Sequence, residues 1–256
     1  MINTSKSAPK PPRILIYGPQ KIGKSSFGSL ADRPVFVQAE DGLDAINVDA
    51  FPKANTFAEI KQNLKDLADQ PHDFGTVVID SLDWIEPMIW TQACLEGGKK
   101  NIEDFGYGKG YVQALNLWRE YIDLVNKLRD TRKMAVVQIA HAQIKKFENP
   151  ETDTYDRYEI KLHKAASALV MEHADIILFA NQYVGVKKEK AGFKDRKIGV
   201  GDGTRFLYSE ERPAFMAGNR YGLPAEIPFD KNGEYWSVIA SHVPYYNTTE
   251  EDQKHG

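Results

Sequence analysis

The hydrophobic pattern of this chain consists of short apolar runs separated by segments whose apolar residues recur at helical spacing. Runs of the strand type occupy residues 13–18 (RILIYG), 35–39 (VFVQA), 76–80 (TVVID), 133–141 (KMAVVQIAH) and 174–182 (ADIILFANQ). Each run is continuously apolar rather than alternating, which is typical of strands that are covered on both faces. The pattern therefore predicts a mostly parallel sheet.

Helices are predicted between these strands. Thr56 and Glu59 have the spacing of a capping box at the start of an amphipathic segment. Further helices are expected at residues 24–30, 111–128 and 162–172. The alternation of strands and helices indicates an α/β fold in which helices flank the sheet. From about residue 183, short alternating segments with glycine turns predict antiparallel hairpins that extend one edge of the sheet.

The composition limits the number of domains. With 256 residues, 42% of them apolar, the chain can bury one sizeable core. We therefore expect a flexible segment at 1–12, a single domain at 13–246, and a polar acidic tail at 247–256.

Charge and cysteine content limit the class of protein and the compartment in which it is expected. The formal net charge of -3 excludes a uniformly basic nucleic-acid binder but leaves room for a local basic patch. Cys94 is the single cysteine, so no intramolecular disulfide can form. No run of 18 apolar residues occurs, and we expect a soluble cytoplasmic protein with no membrane partner.

A phosphate-binding loop follows the first strand. The sequence GPQKIGKS matches the P-loop pattern in full, with a strand before it and a helix after it. In such a loop, backbone N–H groups face the phosphates, the lysine reaches the β and γ oxygens, and the serine ligates Mg²⁺. The predicted residues for ATP are Gly18, Pro19, Gln20, Lys21, Ile22, Gly23, Lys24, Ser25 and Ser26, with Ser25 also a Mg²⁺ ligand.

Acidic residues end two of the neighbouring strands. Asp80 closes the third strand, where a P-loop protein needs a carboxylate to hold magnesium, although it could also cap the following helix. Glu40 follows the second strand and is the first candidate for the group that activates the attacking water. Asp41 is the competing candidate, and a solvated loop acid is the alternative for both.

The fourth strand carries two polar side chains near its end. His141 lies at the strand tip, where a side chain could hydrogen-bond the γ-phosphate and report its loss. Gln138 lies within the strand and is less well placed. An ordinary structural histidine is the competing interpretation of His141.

The order of these motifs resembles that of the RecA-like ATPases. The segment VFVQAEDGLDAI resembles the strand of that family that delivers the catalytic glutamate, which here would be Glu40. The combination of YGPQKIGKSS, VVIDSLDW, FGYGKGY, VVQIAHAQIKKFENP and RYGLP resembles the short phage-encoded RecA-like proteins, which include the Sak-type single-strand annealing recombinases. This resemblance covers about residues 12–230.

The resemblance implies a RecA-like P-loop core that binds ATP and Mg²⁺ and assembles on single-stranded DNA as a homo-oligomer, either a filament or a ring. It further implies strand annealing or homologous pairing in phage recombination and replication, with a phage or host single-strand binding protein as a further candidate partner. In such assemblies a basic residue of a neighbouring subunit reaches the γ-phosphate. Arg220 is the first candidate here and Arg205 the second, and Gly218 stands where related proteins often carry a lysine.

Two segments correspond to the DNA-binding loops of RecA-like proteins. Residues 97–110 are glycine-rich and place lysines beside aromatic residues, so phosphates and stacked bases could both find partners. Residues 142–161 have four basic and five acidic residues, so charge alone does not favour DNA there. Residues 185–205 carry seven basic and three acidic residues, a local charge of +4. The candidate DNA contacts are Lys99, Lys100, Lys109, Lys145 and Lys146.

Other function classes remain open at this stage. A P-loop small-molecule kinase would share the loop but needs an arginine-rich lid, and no compact segment of that kind is found. An AAA-type remodelling ATPase normally has its glutamate directly after the magnesium-site aspartate, whereas Ser81 follows Asp80 and the candidate acid is Glu40 on another strand, an order that favours the RecA type. A helicase-like motor, or a nucleotide switch without hydrolysis, would use the same core.

Overall fold

The computed structural model describes residues 8–183, 185–191, 194–200 and 203–247, with the backbone alone for the stretch from 185 to 200. The predicted flexible segment therefore lies partly, and the acidic tail almost wholly, outside the described residues. The strands in chain order are β1 (Arg13–Gly18), β2 (Pro34–Gln38), β3 (Asp49–Ala50), β4 (Thr76–Asp80), β5 (Ala135–Phe147), β6 (Tyr155–Ile160), β7 (Ile176–Gln182), β8 (Gly185–Ala191), β9 (Lys194–Val200), β10 (Arg205–Tyr208), β11 (Gly218–Asn219) and β12 (Glu226–Pro228).

Six α-helices are described. They are α1 (Lys24–Ser29), α2 (Phe57–Asp69), α3 (Leu82–Glu96), α4 (Lys109–Thr131), α5 (Lys164–His173) and α6 (Glu234–His242), with short 3₁₀ helices at Ile102–Phe105 and Pro244–Asn247. The predicted capping box at the start of α2 is present, because the Thr56 side chain accepts from the Glu59 N–H and the Glu59 carboxylate accepts from the Thr56 N–H.

The main sheet has the strand order β12-β10-β7-β1-β5-β4-β2-β3. Strands β7, β1, β5, β4, β2 and β3 run parallel to one another, and β10 and β12 add to one side in antiparallel pairing. The predicted α/β class, with a mostly parallel sheet and antiparallel strands from the C-terminal part of the chain, is confirmed.

Helices cover both faces of the sheet because successive strand residues point to opposite sides. Leu15 and Tyr17 of β1 pack with the apolar faces of α2 to α5, whereas Ile14 and Ile16 pack on the side of α1 and α6. All four of these β1 side chains are fully buried. This two-sided burial explains why the strands have continuous apolar sequences.

Strand β5 differs from its prediction. It continues past the expected end at residue 141 to Phe147 and pairs in antiparallel register with β6. The β5–β6 hairpin is stabilised by cross-strand contacts that include the Phe147 and Tyr155 rings, 5.5 Å between centroids. Much of the segment 142–161, expected to be a loop, is therefore a hairpin that projects beyond the parallel part of the sheet.

The C-terminal part also differs in detail. Among the described residues, strands β8 and β9 pair only with each other as a separate two-stranded sheet, whereas the sheet edge is extended by β10 and β12. Helix α6 was not expected, and it packs against α1 with the Trp236 Nε1 donating to the Phe27 carbonyl at 2.8 Å. In the part of the chain that the structure describes, no helix has the length and apolar character needed to cross a bilayer.

Candidate nucleotide-binding site

The candidate site lies at the carboxyl end of the parallel sheet, where β1, β2 and β4 end beside His141 of β5. The register sets Gly18 of β1 beside His141 of β5, and Asp80 of β4 beside Gln38 of β2. A cleft of about 490 Å³ opens at this end of the sheet. It is lined by Gln20, Lys21, Gly23, Lys24, Ser25, Ser26, Glu40, Asp41, Gly42, Ile46, Asp80, Trp84 and His141.

The P-loop connects β1 to α1 through a turn that side chains would obstruct. A Cβ on Gly18 would lie 2.2 Å from the Ala180 carbonyl oxygen of β7, so only glycine fits there. Gly23 has φ of +116°, in the region that L-residues rarely adopt. The two glycines thus let the loop pack closely against β7 at Gly18 and against Arg205 and Phe229 at Gly23.

The Lys24 ammonium group is buried at the mouth of this loop. Its Nζ donates to the carbonyls of Gly18 at 3.2 Å and Pro19 at 2.9 Å. Burial lowers the pKa of Lys24, while the nearby carboxylates of Asp80, Asp83 and Glu40 act in the opposite direction. A cation held by two carbonyls of its own loop can exchange those bonds for phosphate oxygens.

Ser25 and Asp80 form the candidate magnesium site. The Ser25 hydroxyl donates to the Asp80 carboxylate at 2.6 Å. Burial raises the pKa of Asp80 to about 6; the bond from Ser25 lowers it and the Glu40 charge raises it further. A hydroxyl and a carboxylate are oxygen donors of the kind that Mg²⁺ prefers. This pair therefore fits the ion that the P-loop motif implies, and a bound cation would favour the ionised form of Asp80.

The two candidate acids for water activation are now distinguished by their contacts. The Asp41 carboxylate is paired with the Lys53 Nζ at 2.6 Å and is 77% exposed. Glu40 is half-buried in the cleft, and its charge acts on both Lys24 and Asp80. Both residues line the cleft, but the Asp41 carboxylate is ion-paired with Lys53, and the catalytic role of Glu40 stays a prediction.

His141 lines the cleft and is held by a residue that the sequence analysis did not single out. The Asp83 carboxylate accepts from the His141 backbone N–H at 3.0 Å and lies 3.0 Å from the His141 Nδ1. Burial raises the pKa of Asp83, but the two bonds from His141 outweigh it and the pKa lies below its usual range. With Nδ1 turned to this carboxylate, Nε2 is the nitrogen left for the cleft.

Gln138 takes no part in the cleft. Its side chain is fully buried, and its Oε1 accepts from the Tyr121 hydroxyl of α4 at 2.8 Å. The preference for His141 over Gln138 at this strand is consistent with these positions.

The remaining loop residues divide between the cleft and the core. Gln20, Lys21 and Ser26 line the cleft. Pro19 contributes its carbonyl to Lys24, and Ile22 is buried under α1. The half-exposed Trp84, at the start of α3, also lines the cleft and was not predicted, because nothing in a single tryptophan three residues after Ser81 signals such a position.

The two candidate finger arginines lie in different places. Arg220 lies at the opposite end of the parallel strands from the cleft. Its Nη1 is 3.5 Å from the carboxylate of Asp175, the residue before β7, and its side chain is 63% exposed. It does not line its own cleft. Arg205 lies beside the P-loop of its own chain, with its Nη1 donating to the Ile22 carbonyl at 2.8 Å.

The candidate DNA-binding lysines form two groups outside the cleft. Lys99, Lys100 and Lys109 are exposed around the 3₁₀ helix Ile102–Phe105. Lys145 and Lys146 lie on the outer half of β5, with the Lys145 Nζ 3.8 Å from the Glu159 carboxylate. The side chains of the basic segment 185–200 lie outside the described residues.

Comparisons with known proteins agree with a nucleotide-binding core. Residues 10–221 match the family model described as AAA domain. The chain is 26% identical over 189 residues to the SPbeta prophage-derived uncharacterized protein YorG of Bacillus subtilis (strain 168), covering 71% of this chain. It spans about half of that relative, 54% of its length.

A crystal structure of the RadB recombinase superposes with a TM-score of 0.48 and 12% identity, over 88% of this chain and 90% of the other. A likeness this weak does not assign the fold, which rests on the strand order. The family match names the AAA class, which the sequence argument had placed behind the RecA type. The candidate glutamate nonetheless follows β2, and Ser81 follows Asp80. Because the match covers most of the chain and includes the P-loop, β4 and His141, the protein belongs to the AAA domain family of P-loop nucleotide-binding proteins.

Proposed function

We propose that this protein is a RecA-like, Mg²⁺-dependent ATPase that binds single-stranded DNA and promotes strand annealing or homologous pairing in phage recombination and replication. The observation that carries the proposal is the convergence of Lys24, the Ser25–Asp80 pair, Glu40 and His141 on one cleft. Each of these groups supplies a different requirement of phosphoryl transfer to water.

The contacts of these side chains support the following proposed roles. The P-loop N–H groups and Lys24 hold the β- and γ-phosphates, and Ser25 with Asp80 holds Mg²⁺. Glu40 orients and deprotonates the attacking water. His141, fixed by Asp83, senses the γ-phosphate through Nε2.

Support for single-stranded DNA comes from the surface around Ile102–Phe105. Lys99, Lys100 and Lys109 are exposed there, and the Tyr107 ring is completely exposed. Exposed aromatic rings beside lysines suit stacked bases and backbone phosphates. The β5–β6 hairpin offers a second route, because β5 runs without interruption from His141 at the cleft to Lys145 and Lys146.

Support for the phage setting comes from the prophage-derived relative, at 26% identity. Homo-oligomers, in a filament or a ring, and a phage or host single-strand binding protein are the partners that we propose. Arg220 remains the candidate that completes a neighbour's cleft, since its exposed guanidinium lies away from its own.

The proposal is tested by ATP hydrolysis with and without single-stranded DNA over a range of protein concentrations, with Lys24→Ala as the blank. We expect DNA to stimulate hydrolysis and the effect to rise cooperatively with concentration. A rate of hydrolysis that does not change when DNA is added would reject the recombinase proposal but would still identify an ATPase. Phosphate transfer to a small molecule would instead identify a kinase.

The DNA surface is tested by removing the lysines at 99, 100 and 109 together. This triple alanine variant should weaken single-strand binding and reduce the salt dependence of binding, since each phosphate contact contributes to the slope. The matched control removes three exposed lysines elsewhere, at 65, 127 and 231. Equal weakening in both triples would show only an effect of net charge.

A further inference from the structure

Arg205 makes a contact with the P-loop that the proposed catalytic cycle does not use. It is the first residue of β10, and its Nη1 donates to the Ile22 carbonyl at 2.8 Å. Its guanidinium lies over the Phe229 ring, 5.5 Å from the centroid. An arginine on an aromatic face is held by cation–π attraction as well as by its hydrogen bond.

The contact lies at the most constrained point of the loop. Ile22 directly precedes Gly23, where φ is +116° and the chain turns into α1. A Cβ added to Gly23 would lie 3.3 Å from both the Arg205 Nη1 and the Phe229 ring. Arg205 and Phe229 therefore form a wall against which this turn is packed.

This wall fixes the orientation of one peptide unit. Because a trans peptide is planar, its C=O and N–H point in opposite directions. When the Ile22 carbonyl is held on Arg205, the Gly23 N–H points away from Arg205. Gly23 itself lines the cleft, so the orientation of this N–H bears on how the loop receives a phosphate.

The arginine is anchored by its own backbone. Arg205 pairs with Gln182 of β7, and its carbonyl accepts from the Phe229 N–H at 2.8 Å. The sheet thus fixes the backbone position from which the Arg205 side chain extends to Ile22. The backbone of Phe229 is hydrogen-bonded to Arg205 as well.

We propose that Arg205 is a positioning residue that holds the P-loop of its own chain in the phosphate-binding form, an inference that rests on the nucleotide binding proposed above. Its guanidinium is committed to Ile22 and Phe229 of its own chain, which differs from a finger offered to a neighbouring subunit. Affinity for ADP as well as ATP should then depend on Arg205 in dilute, unassembled protein.

The test is calorimetric measurement of the ADP and ATP dissociation constants at low protein concentration, with urea unfolding of each variant. Arg205→Ala should raise both constants about tenfold, equivalent to about 1.4 kcal/mol. Arg205→Lys, which keeps a donor, should recover most of the affinity. If the alanine variant does not fold, Arg205→Met keeps an apolar stem without a hydrogen-bond donor and should show the same weakening.

Arg212→Ala is the matched control. Arg212 pairs with Glu226 and stacks on Tyr208 in the same antiparallel region, but it makes no contact with the P-loop in the structure described. Its loss should leave both dissociation constants unchanged. Unchanged ADP affinity in the Arg205 variants, with only lower stability, would overturn the proposal. Failure of the wild-type protein to bind either nucleotide would instead reject the proposed function itself.

Discussion

At the scale of residues, two buried carboxyl groups stand out near the cleft. Burial raises the pKa of Asp80 to about 6 and that of Glu86, on α3, to about 7. The Glu86 carboxylate accepts from the His163 N–H, which lowers its pKa only in part. Both groups therefore resist ionisation in the folded protein.

These shifts predict how stability depends on pH without ligand. Between about pH 4 and 7 these two carboxyl groups bind more protons in the folded state than in the unfolded state, so their contribution to the free energy of unfolding falls as pH rises. Buried His173, whose pKa burial lowers to about 4, contributes in the opposite direction over part of this window. For Asp80 the loss is up to about 3 kcal/mol. Above pH 7, Asp80→Asn should thus be more stable than wild type in urea unfolding, and Glu86→Gln separates the second group. A stability difference between wild type and Asp80→Asn that does not change with pH through this window would contradict the assignment of the raised pKa to Asp80.

Metal binding should have the opposite pH dependence. Protons compete with Mg²⁺ for Asp80, so the affinity for Mg²⁺ and nucleotide together should decline as the pH falls below about 6. Titration calorimetry at pH 5.5 and 7.5 measures this change. Asp80→Asn should bind weakly at both values, and an equal pH effect in that variant would assign the proton to another group.

The cleft predicts different defects for Lys24 and Glu40. Lys24→Ala should abolish nucleotide binding, because it removes the buried cation at the loop. Glu40→Gln should retain binding within about threefold and lose about 100-fold or more in turnover. Binding by calorimetry and phosphate release report the two effects separately.

Asp41→Asn is the control for Glu40, since Asp41 is exposed and paired with Lys53. Its turnover should remain close to wild type. A loss confined to Asp41→Asn would transfer the catalytic role to Asp41.

The sequence predicts the parts of the site that follow directly from a strand and a motif. The P-loop, Asp80, Glu40 and His141 each come at the end of a recognisable apolar run, and the parallel sheet brings those ends together. Asp83 and Arg205 could not be predicted with the same force. The role of Asp83 depends on the contact between the first turn of α3 and His141 within β5, and Arg205 lies 183 positions from Ile22 along the chain.

At the scale of elements, the contact between α1 and the sheet allows a direct test. Gly28 of α1 packs so closely that a Cβ would lie 2.7 Å from the Val78 Cγ1 and 3.2 Å from the Phe36 ring. Gly28→Ala should lower the free energy of unfolding by about 1–3 kcal/mol in urea, despite the better helix propensity of alanine.

Gly218→Ala is the control for this substitution. An added Cβ there meets nothing within 4 Å, and its φ lies outside the left-handed region. The change in stability should stay within about 0.5 kcal/mol. Equal losses at both positions would mean that α1 does not pack on β4 and β2 as described.

The elements that the pattern predicts are those that bury a regular apolar face. The core strands and α2 are of this kind. The outer half of β5 is mixed in polarity, since it pairs with β6 outside the parallel part of the sheet, and so it resembled a loop. Helix α6 has only nine residues, with Tyr235 and Ile239 as its buried anchors, which is too few for a clear helical period.

At the scale of the whole molecule, the cleft and Arg220 lie at opposite ends of the parallel strands, and this arrangement gives a prediction about assembly. Arg220→Ala should leave ADP affinity in dilute protein unchanged and lower turnover in the assembled state by about 10³-fold, the contribution typical of an arginine finger. Asp175 keeps its bonds from Arg13 and Arg129, so the fold should persist.

Hydrolysis measured over a range of protein concentrations checks this, with sedimentation to follow assembly. Arg220→Lys preserves the charge but not the planar fork, and should recover little of the rate. An equal loss of turnover in unassembled protein would exclude the role in trans.

The two outer strands of the main sheet, β3 and β12, limit how copies of this chain can pair strand to strand. Strand β3 has two residues and β12 has three, the last being Pro228, so neither end offers a long row of unpaired N–H and C=O groups. Short edges that carry proline discourage the strand-to-strand addition from which fibrils grow. The separate β8–β9 ribbon has longer strands, but its sequence is rich in lysine, which also discourages that pairing. At these described strands, ordered self-association is thus directed to side-chain surfaces rather than to a continuous sheet.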